Sequence, residues 1–191
     1  MRTIRTARLR LVPVTPENAA TLWHVLQGPD LREFQDLPDV DPAELARIVG
    51  ARPKRFSPGA VGRFEWLLLP AAVDGGDPLG WVSLRIAESK RSTAEIGYSV
   101  VSDRRGRGIA TEAVAALIEE GFRHGRLREI RAYCLPQNVG SLRVLRRLGF
   151  MDDGMLAHGA TVQGRPVDVR AHSLSRARWE RLIANRQATR S

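Results

Sequence analysis

The spacing of apolar and polar residues changes period several times along the chain, and each change marks an element. Residues 9–13 alternate as a short strand. Thr15-Pro16-Glu17 then supplies a capping residue and a first-turn proline, which start a helix over 15–27. Asp41-Pro42-Ala43-Glu44 repeats that start with an acid three positions after the cap, predicting a second helix over 42–51. Three strand-like runs follow at 64–73, 79–86 and 93–101, separated by Asp74-Gly75-Gly76-Asp77 and Glu88-Ser89-Lys90-Arg91; they read as an antiparallel meander.

Beyond them the period lengthens. Ile109, Ala113, Leu117 and Gly121, with Ala110, Val114 and Ile118, recur at three- and four-residue spacing and predict a helix over 109–124. A strand at 129–134 comes next. A helix over 138–148 places Leu142, Leu145 and Leu148 on one face and stops at Gly149, a residue suited to a left-handed cap. Strands at 151–158 and 167–174 and a basic terminal helix capped by Ser175 complete a mixed α/β order.

Composition narrows the classes. The chain has 191 residues, 43% of them hydrophobic, with no repeat or linker-like tract, so one domain over 1–191 is expected. The start Met1-Arg2-Thr3-Ile4-Arg5 lacks the apolar stretch of a signal peptide, and the longest apolar run is too short to span a bilayer. A cytoplasmic location and no membrane partner are expected. A single cysteine, Cys134, argues against disulfides and zinc chemistry, and no metal ligand set is assigned. Cys134 is read as buried and inert, and His24, His124, His158 and His172 as surface or structural residues. The net charge is +9, and of the 30 basic residues only Lys54 and Lys90 are lysine, leaving 28 arginines spread along the chain. That balance suits a polyanionic partner: nucleic acid, the ribosome, or a phosphate-rich small molecule.

The chemistry concentrates in Arg104-Arg105-Gly106-Arg107-Gly108-Ile109-Ala110-Thr111, between a strand and the start of an amphipathic helix. First-turn N–H groups lack intrahelical acceptors and the helix dipole favours an anion there. Gly106 and Gly108 let the backbone approach a phosphate closely, Ala110 and Thr111 keep the approach clear, and Arg105 and Arg107 add attraction. The segment lacks the lysine and Ser/Thr of a Walker loop, and its glycines do not fit the dinucleotide fingerprint.

This sequence resembles the GNAT superfamily of N-acetyltransferases, whose (Arg or Gln)-x-x-Gly-x-(Gly or Ala) pattern stands here as Arg105-Gly106-Arg107-Gly108-Ile109-Ala110. Ala94-Glu95-Ile96-Gly97-Tyr98 upstream, and Asn138-x-x-Ser141 with Leu148-Gly149-Phe150 downstream, are similar to the RimJ/RimL-type branch acting on protein N-termini. The resemblance implies a central, mostly antiparallel sheet splayed in a V and flanked by helices, with acetyl-CoA as co-substrate. It also implies that backbone groups of Val100, Val101 and Ser102 pair with the pantetheine arm. The amides from Arg105 to Thr111 would hold the pyrophosphate, and Asn138 would touch the coenzyme from the other side.

Acyl transfer from a thioester needs an unprotonated amine, stabilisation of the carbonyl oxygen and help for the leaving thiolate. Glu95 is the candidate base, the bland alternative being a strand carboxylate paired with an arginine. A backbone N–H near Val101 is the candidate donor to the carbonyl. The position seven after Asn138, where many members of the superfamily carry a tyrosine acid, is Leu145, so Ser141 is assigned to the sulfur; Tyr98 is read as core or substrate wall. The acceptor pocket is expected from the two early helices and the hairpin near 158–165. The acceptor is a primary amine, a protein N-terminus or a small molecule, with a polyamine disfavoured by the basic surface. The rivals are a basic nucleic-acid or ribosome-binding module and a non-catalytic acyl-CoA sensor. Ribosome association and a homodimer are both compatible with the sequence.

Overall fold

The computed structural model describes residues 1–28, 31, 39–72 and 76–188. Eight strands form one sheet: β1 (Ile4–Arg5), β2 (Leu9–Pro13), β3 (Gly62–Pro70), β4 (Gly80–Ile86), β5 (Thr93–Val100), β6 (Glu129–Cys134), β7 (Met151–Val162) and β8 (Arg165–Ser175). Their order is β1-β2-β3-β4-β5-β6-β8-β7, and every neighbouring pair is antiparallel except β5 with β6. Among the described residues, five helices accompany them: α1 (Ala19–Leu26), α2 (Pro42–Gly50), α3 (Ile109–Glu119), α4 (Val139–Leu148) and α5 (Arg176–Ala188).

Strand alternation sorts the two faces. Phe64, Trp66 and Leu68 on β3, with Val82, Leu84 and Ile86 on β4, join Ala113, Val114, Leu117 and Ile118 of α3 and Leu145 and Leu148 of α4 in the larger core. The intervening Leu67 and Trp81 face the other way and pack with Leu22, Val25, Leu45 and Val49 of α1 and α2. Thus α3 and α4 pack on one face, and α1 and α2 on the other. Asp41 caps α2 by accepting from the Glu44 N–H at 2.8 Å, as its sequence predicted. Helix α1 is entered through a 3-10 turn at Pro16–Asn18.

Several boundaries differ from the sequence reading. The run predicted at 64–73 forms a strand only over Gly62–Pro70, and Val73, Asp74 and Gly75 lie outside the described residues. The helix predicted over 109–124 is α-helical to Glu119 and then widens into a π turn, Glu120–His124. In that turn Glu120 is buried and pairs with Arg2 at 2.6 Å. Strands β7 and β8 run longer than predicted because they pair with each other across a turn whose Gln163 and Gly164 both adopt positive φ. The short β1 had too little pattern to be seen.

One feature of the register positions the site. Strands β5 and β6 pair only at Thr93↔Glu129, Ala94↔Ile130 and Glu95↔Arg131. Beyond Glu95, β5 stays with β4 as far as Gly80↔Val100, and beyond Arg131, β6 stays with β8 as far as Cys134↔Arg170. The sheet therefore opens into a V between them. Gly80 permits the close β4–β5 approach at this end: a Cβ there would lie 2.1 Å from the Ser99 carbonyl oxygen.

Candidate active site

Both arms of the V end in a helix start. Past Val100 the chain makes a 3-10 turn, Ser102–Arg104, and enters α3 at Gly108; past Cys134 it enters α4 at Asn138. A cleft beyond the carboxyl ends of parallel strands, faced by helix N-termini, is a favoured place for an anionic ligand. Gly106 and Gly108 hold φ of 74° and 77°, the left-handed region that turns successive N–H groups toward one side. A Cβ on Gly106 would meet nothing within 4 Å, so the space above that backbone is open. These are the properties a pyrophosphate cradle requires, and residues 105–111 fit the group.

The cradle is braced by residues the sequence did not connect to it. Arg8, between β1 and β2, donates from its Nη1 to the Arg107 carbonyl at 2.9 Å and from its Nε to Glu112 of α3 at 2.6 Å. The Thr6 hydroxyl and the Arg8 N–H also donate to Glu112, at 2.6 and 2.9 Å. Burial pushes the Glu112 carboxyl up, but these donors and the Arg8 charge outweigh it and hold its pKa below the ordinary carboxylate value. Arg105 folds back, its Nε donating to the Val100 carbonyl at 2.9 Å, and so ties the loop to the end of β5. Roughly a hundred residues separate Arg8 from its partners; local sequence carries no signal for that pairing.

The notch has two distinct rims. On the α4 side, the Tyr98 hydroxyl lies 2.8 Å from the Ser141 Oγ. Burial raises the Tyr98 pKa, so its phenol stays protonated, and burial likewise raises that of Cys134. An unactivated Cys134 agrees with the sequence reading, whereas Tyr98, expected as core or wall, is in contact with the proposed sulfur-side group. Asn138 accepts from the Ser141 N–H at 3.0 Å, so its side-chain oxygen caps α4 and only its amide NH₂ is left to face a ligand.

On the opposite face, Glu95 sits at the fork of the V and pairs with Arg85 across the β4–β5 ladder. The carboxylate is about one-third exposed, at 37%. It is therefore both the paired strand carboxylate that the sequence allowed and a group accessible at the fork.

The expectation for Val101 needs correction. Its N–H donates to the Leu79 carbonyl at 3.0 Å, so it points toward β4 and away from the notch. Backbone direction alternates along a strand, and Tyr98 and Val100 therefore turn their peptide groups to the open side. Val100 keeps its place, with its carbonyl already accepting from Arg105. Ser102 is exposed in the 3-10 turn and its carbonyl accepts from the Arg105 N–H at 3.3 Å. Of the four histidines, only His172 is buried, and its Nδ1 has no partner among the described residues. Among those residues there is also no group of three or more potential metal ligands and no helix long and apolar enough to cross a membrane.

Residues 8–151 match the family model for the acetyltransferase (GNAT) domain. An uncharacterized N-acetyltransferase p20 of Bacillus licheniformis is 27% identical over 175 residues, 91% of this chain and 96% of that protein. The ribosomal-protein-serine acetyltransferase of Escherichia coli is 36% identical over 78 residues, 41% of this chain and 44% of that protein. Among solved structures, the RimL ribosomal L7/L12 alpha-N-protein acetyltransferase in complex with coenzyme A superposes with a TM-score of 0.77. It covers 91% of this chain and 98% of its own at 20% identity, a likeness of fold.

Proposed function

The chain belongs to the GNAT acetyltransferase family, and from that premise we propose that it transfers an acetyl group from acetyl-CoA to the α-amine of a protein N-terminus. The observation that carries the reading is the notch itself: a glycine cradle at its mouth and a Ser141 hydroxyl on its wall. We read residues 1–191 as one cytoplasmic catalytic domain.

In this reading the amides from Arg105 to Thr111 receive the pyrophosphate of acetyl-CoA, and the peptide edge of β5 that faces away from β4 at Tyr98 and Val100 lies along the pantetheine arm, where the β6 ladder has ended. That arrangement directs the thioester into the notch, where a Tyr98 or Val100 N–H polarises the carbonyl oxygen. The acceptor amine enters from the side of Glu95. An α-amine has a reference pKa of about 8, so a carboxylate acting through water suffices to remove its proton. The departing sulfur leaves toward Ser141, whose hydroxyl donates to it while Tyr98 holds that hydroxyl in place. Base and sulfur-side donor thus lie on opposite faces of the sheet, so the amine and the leaving group occupy separate spaces.

The relatives named for ribosomal-protein acetylation support screening ribosomal-protein N-terminal peptides first. The test combines calorimetric titration of acetyl-CoA with mass analysis of the peptides. Binding by the wild type, its loss in Gly108→Trp, and an acetyl group on the peptide α-amine that appears much more slowly with Glu95→Gln are the expected results. No acetyl-CoA binding by the wild type would overturn the enzyme reading. Binding with acetylation confined to small-molecule amines would replace the acceptor.

A further inference from the structure

Helices α1 and α2 pack on their face of the sheet at Leu67 and Trp81. Further along the same face, past the buried Glu65 and Ser83, stand the charged residues Arg63, Arg85, Glu95 and Arg131. One row of register partners crosses four strands: Arg63↔Arg85 on β3 and β4, Arg85↔Glu95 on β4 and β5, and Glu95↔Arg131 on β5 and β6. Directly opposed residues present their side chains on the same face at neighbouring positions. Glu95, the acceptor-side carboxylate, therefore has a guanidinium on each side and a third one strand further on.

We propose that this arginine row selects acceptors that carry a carboxylate close to the reacting amine. The inference rests on the acetyl-transfer reading of the same site and names the class of acceptor it takes. Three cations share a row with one anion. Other acids engage two of them from their own strands, Glu65 meeting Arg63 at 2.9 Å and Glu129 meeting Arg131 at 2.5 Å. Arg85, Glu95 and Arg131 are 59%, 37% and 42% exposed, and pairs this open are weak and exchange partners readily, whereas Arg63 is held by the buried Glu65. The crowding has an electrostatic trace: the Arg63 pKa is lowered by burial and then by the nearby Arg85 charge.

An amine placed at Glu95 would have Arg85 and Arg131 one strand spacing away on either side, about 5 Å. Guanidinium forks match carboxylates in bidentate geometry, so an acceptor carboxylate there gains charge-assisted bonds that a neutral acceptor lacks. A basic acceptor meets repulsion from the row. The carboxylate has two sources, the α-carboxylate of a free amino acid or the side chains of an acidic peptide N-terminus.

The test uses the full chain, acetyl-CoA and matched acceptors. One pair is a free amino acid and its methyl ester; the other is a peptide with aspartates at its second and third positions and the same peptide with lysines there. The carboxylate-bearing member of at least one pair should have a kcat/KM about tenfold or more above its partner, carried mainly by KM. Which pair responds identifies the source. Arg131→Glu should erase or reverse that ratio, and Arg131→Gln should leave it between wild type and Arg131→Glu; circular dichroism checks that both variants are folded. Equal rates within both pairs, or variants that slow both members alike, would overturn the inference while leaving acetyl transfer intact. Acetyl-CoA binding with no turnover of any of the four acceptors would overturn it as well. Absence of acetyl-CoA binding would instead refute the underlying reading.

Discussion

Gly106 offers a separation between backbone strain and ligand contact. It holds φ of 74° with nothing within 4 Å of where a Cβ would stand. Gly59, in a Ser57-Pro58-Gly59-Ala60 turn closed by an Ala60 N–H to Ser57 carbonyl bond, holds φ of 76° with the same open surroundings. The left-handed conformation costs a non-glycine residue about 1–2 kcal/mol, and in a chain of this size each kcal/mol moves Tm by about 2–4 °C. Gly106→Ala and Gly59→Ala should therefore each lower Tm by about 2–8 °C, because neither methyl meets a neighbour. Their effect on acetyl-CoA should differ. The methyl at position 106 occupies the space a pyrophosphate needs and displaces it from one amide. Each charge-assisted bond contributes about 1.5–3 kcal/mol, so the dissociation constant should rise about 10- to 100-fold. Gly59→Ala should bind as the wild type does. Differential scanning calorimetry and titration calorimetry on the same preparations measure both quantities. Equal loss of Tm with unchanged acetyl-CoA affinity in Gly106→Ala would refute the cradle, since the methyl would then stand in empty solvent.

Two further outcomes follow from the interactions around the notch. Ser141→Ala should lower kcat about 10- to 100-fold with little change in acetyl-CoA affinity, and Tyr98→Phe should lower it less, because Tyr98 only orients the serine; steady-state kinetics with a titration control decide this. Glu112→Gln should destabilise the fold by about 1–3 kcal/mol at neutral pH by weakening the Thr6 and Arg8 contacts. The Glu112 pKa is depressed in the fold, so its contribution is present above the ordinary carboxylate value near 4.5 and is lost as pH falls through the lower folded value. Melts should accordingly show a gap between wild type and variant that narrows below about pH 4; a gap independent of pH would contradict the assignment.

Much of the secondary structure was legible because its signals are local. Asp41 caps α2, Asn138 caps α4 and Gly149 ends it in a left-handed turn, each decided by residues within one turn of the chain. The glycine turn before α3 was legible for the same reason: two positive-φ glycines and a following helix start lie within four positions. Where the reading slipped, a distant partner had intervened. Val101 looked available to a ligand from its own strand, but the Leu79 carbonyl claims its N–H. The helix predicted through His124 widens at Glu120, where Arg2 supplies a partner for a buried carboxylate.

Periodicity and turn chemistry thus determined the order of strands and helices, the glycine turn before α3 and the places of Glu95 on a strand and Ser141 on a helix. The tertiary structure alone decided that β5 and β6 part after Glu95, so that β5 continues to Val100 paired with β4 and no longer with β6. It also brought Tyr98 to Ser141 across 43 positions, braced the loop with Arg8 across 99, and aligned Arg63, Arg85 and Arg131 around one carboxylate. The physical reason is the range of the interactions: caps and turns close within a few residues, whereas sheet register and the ion pairs it aligns exist only once distant strands are paired.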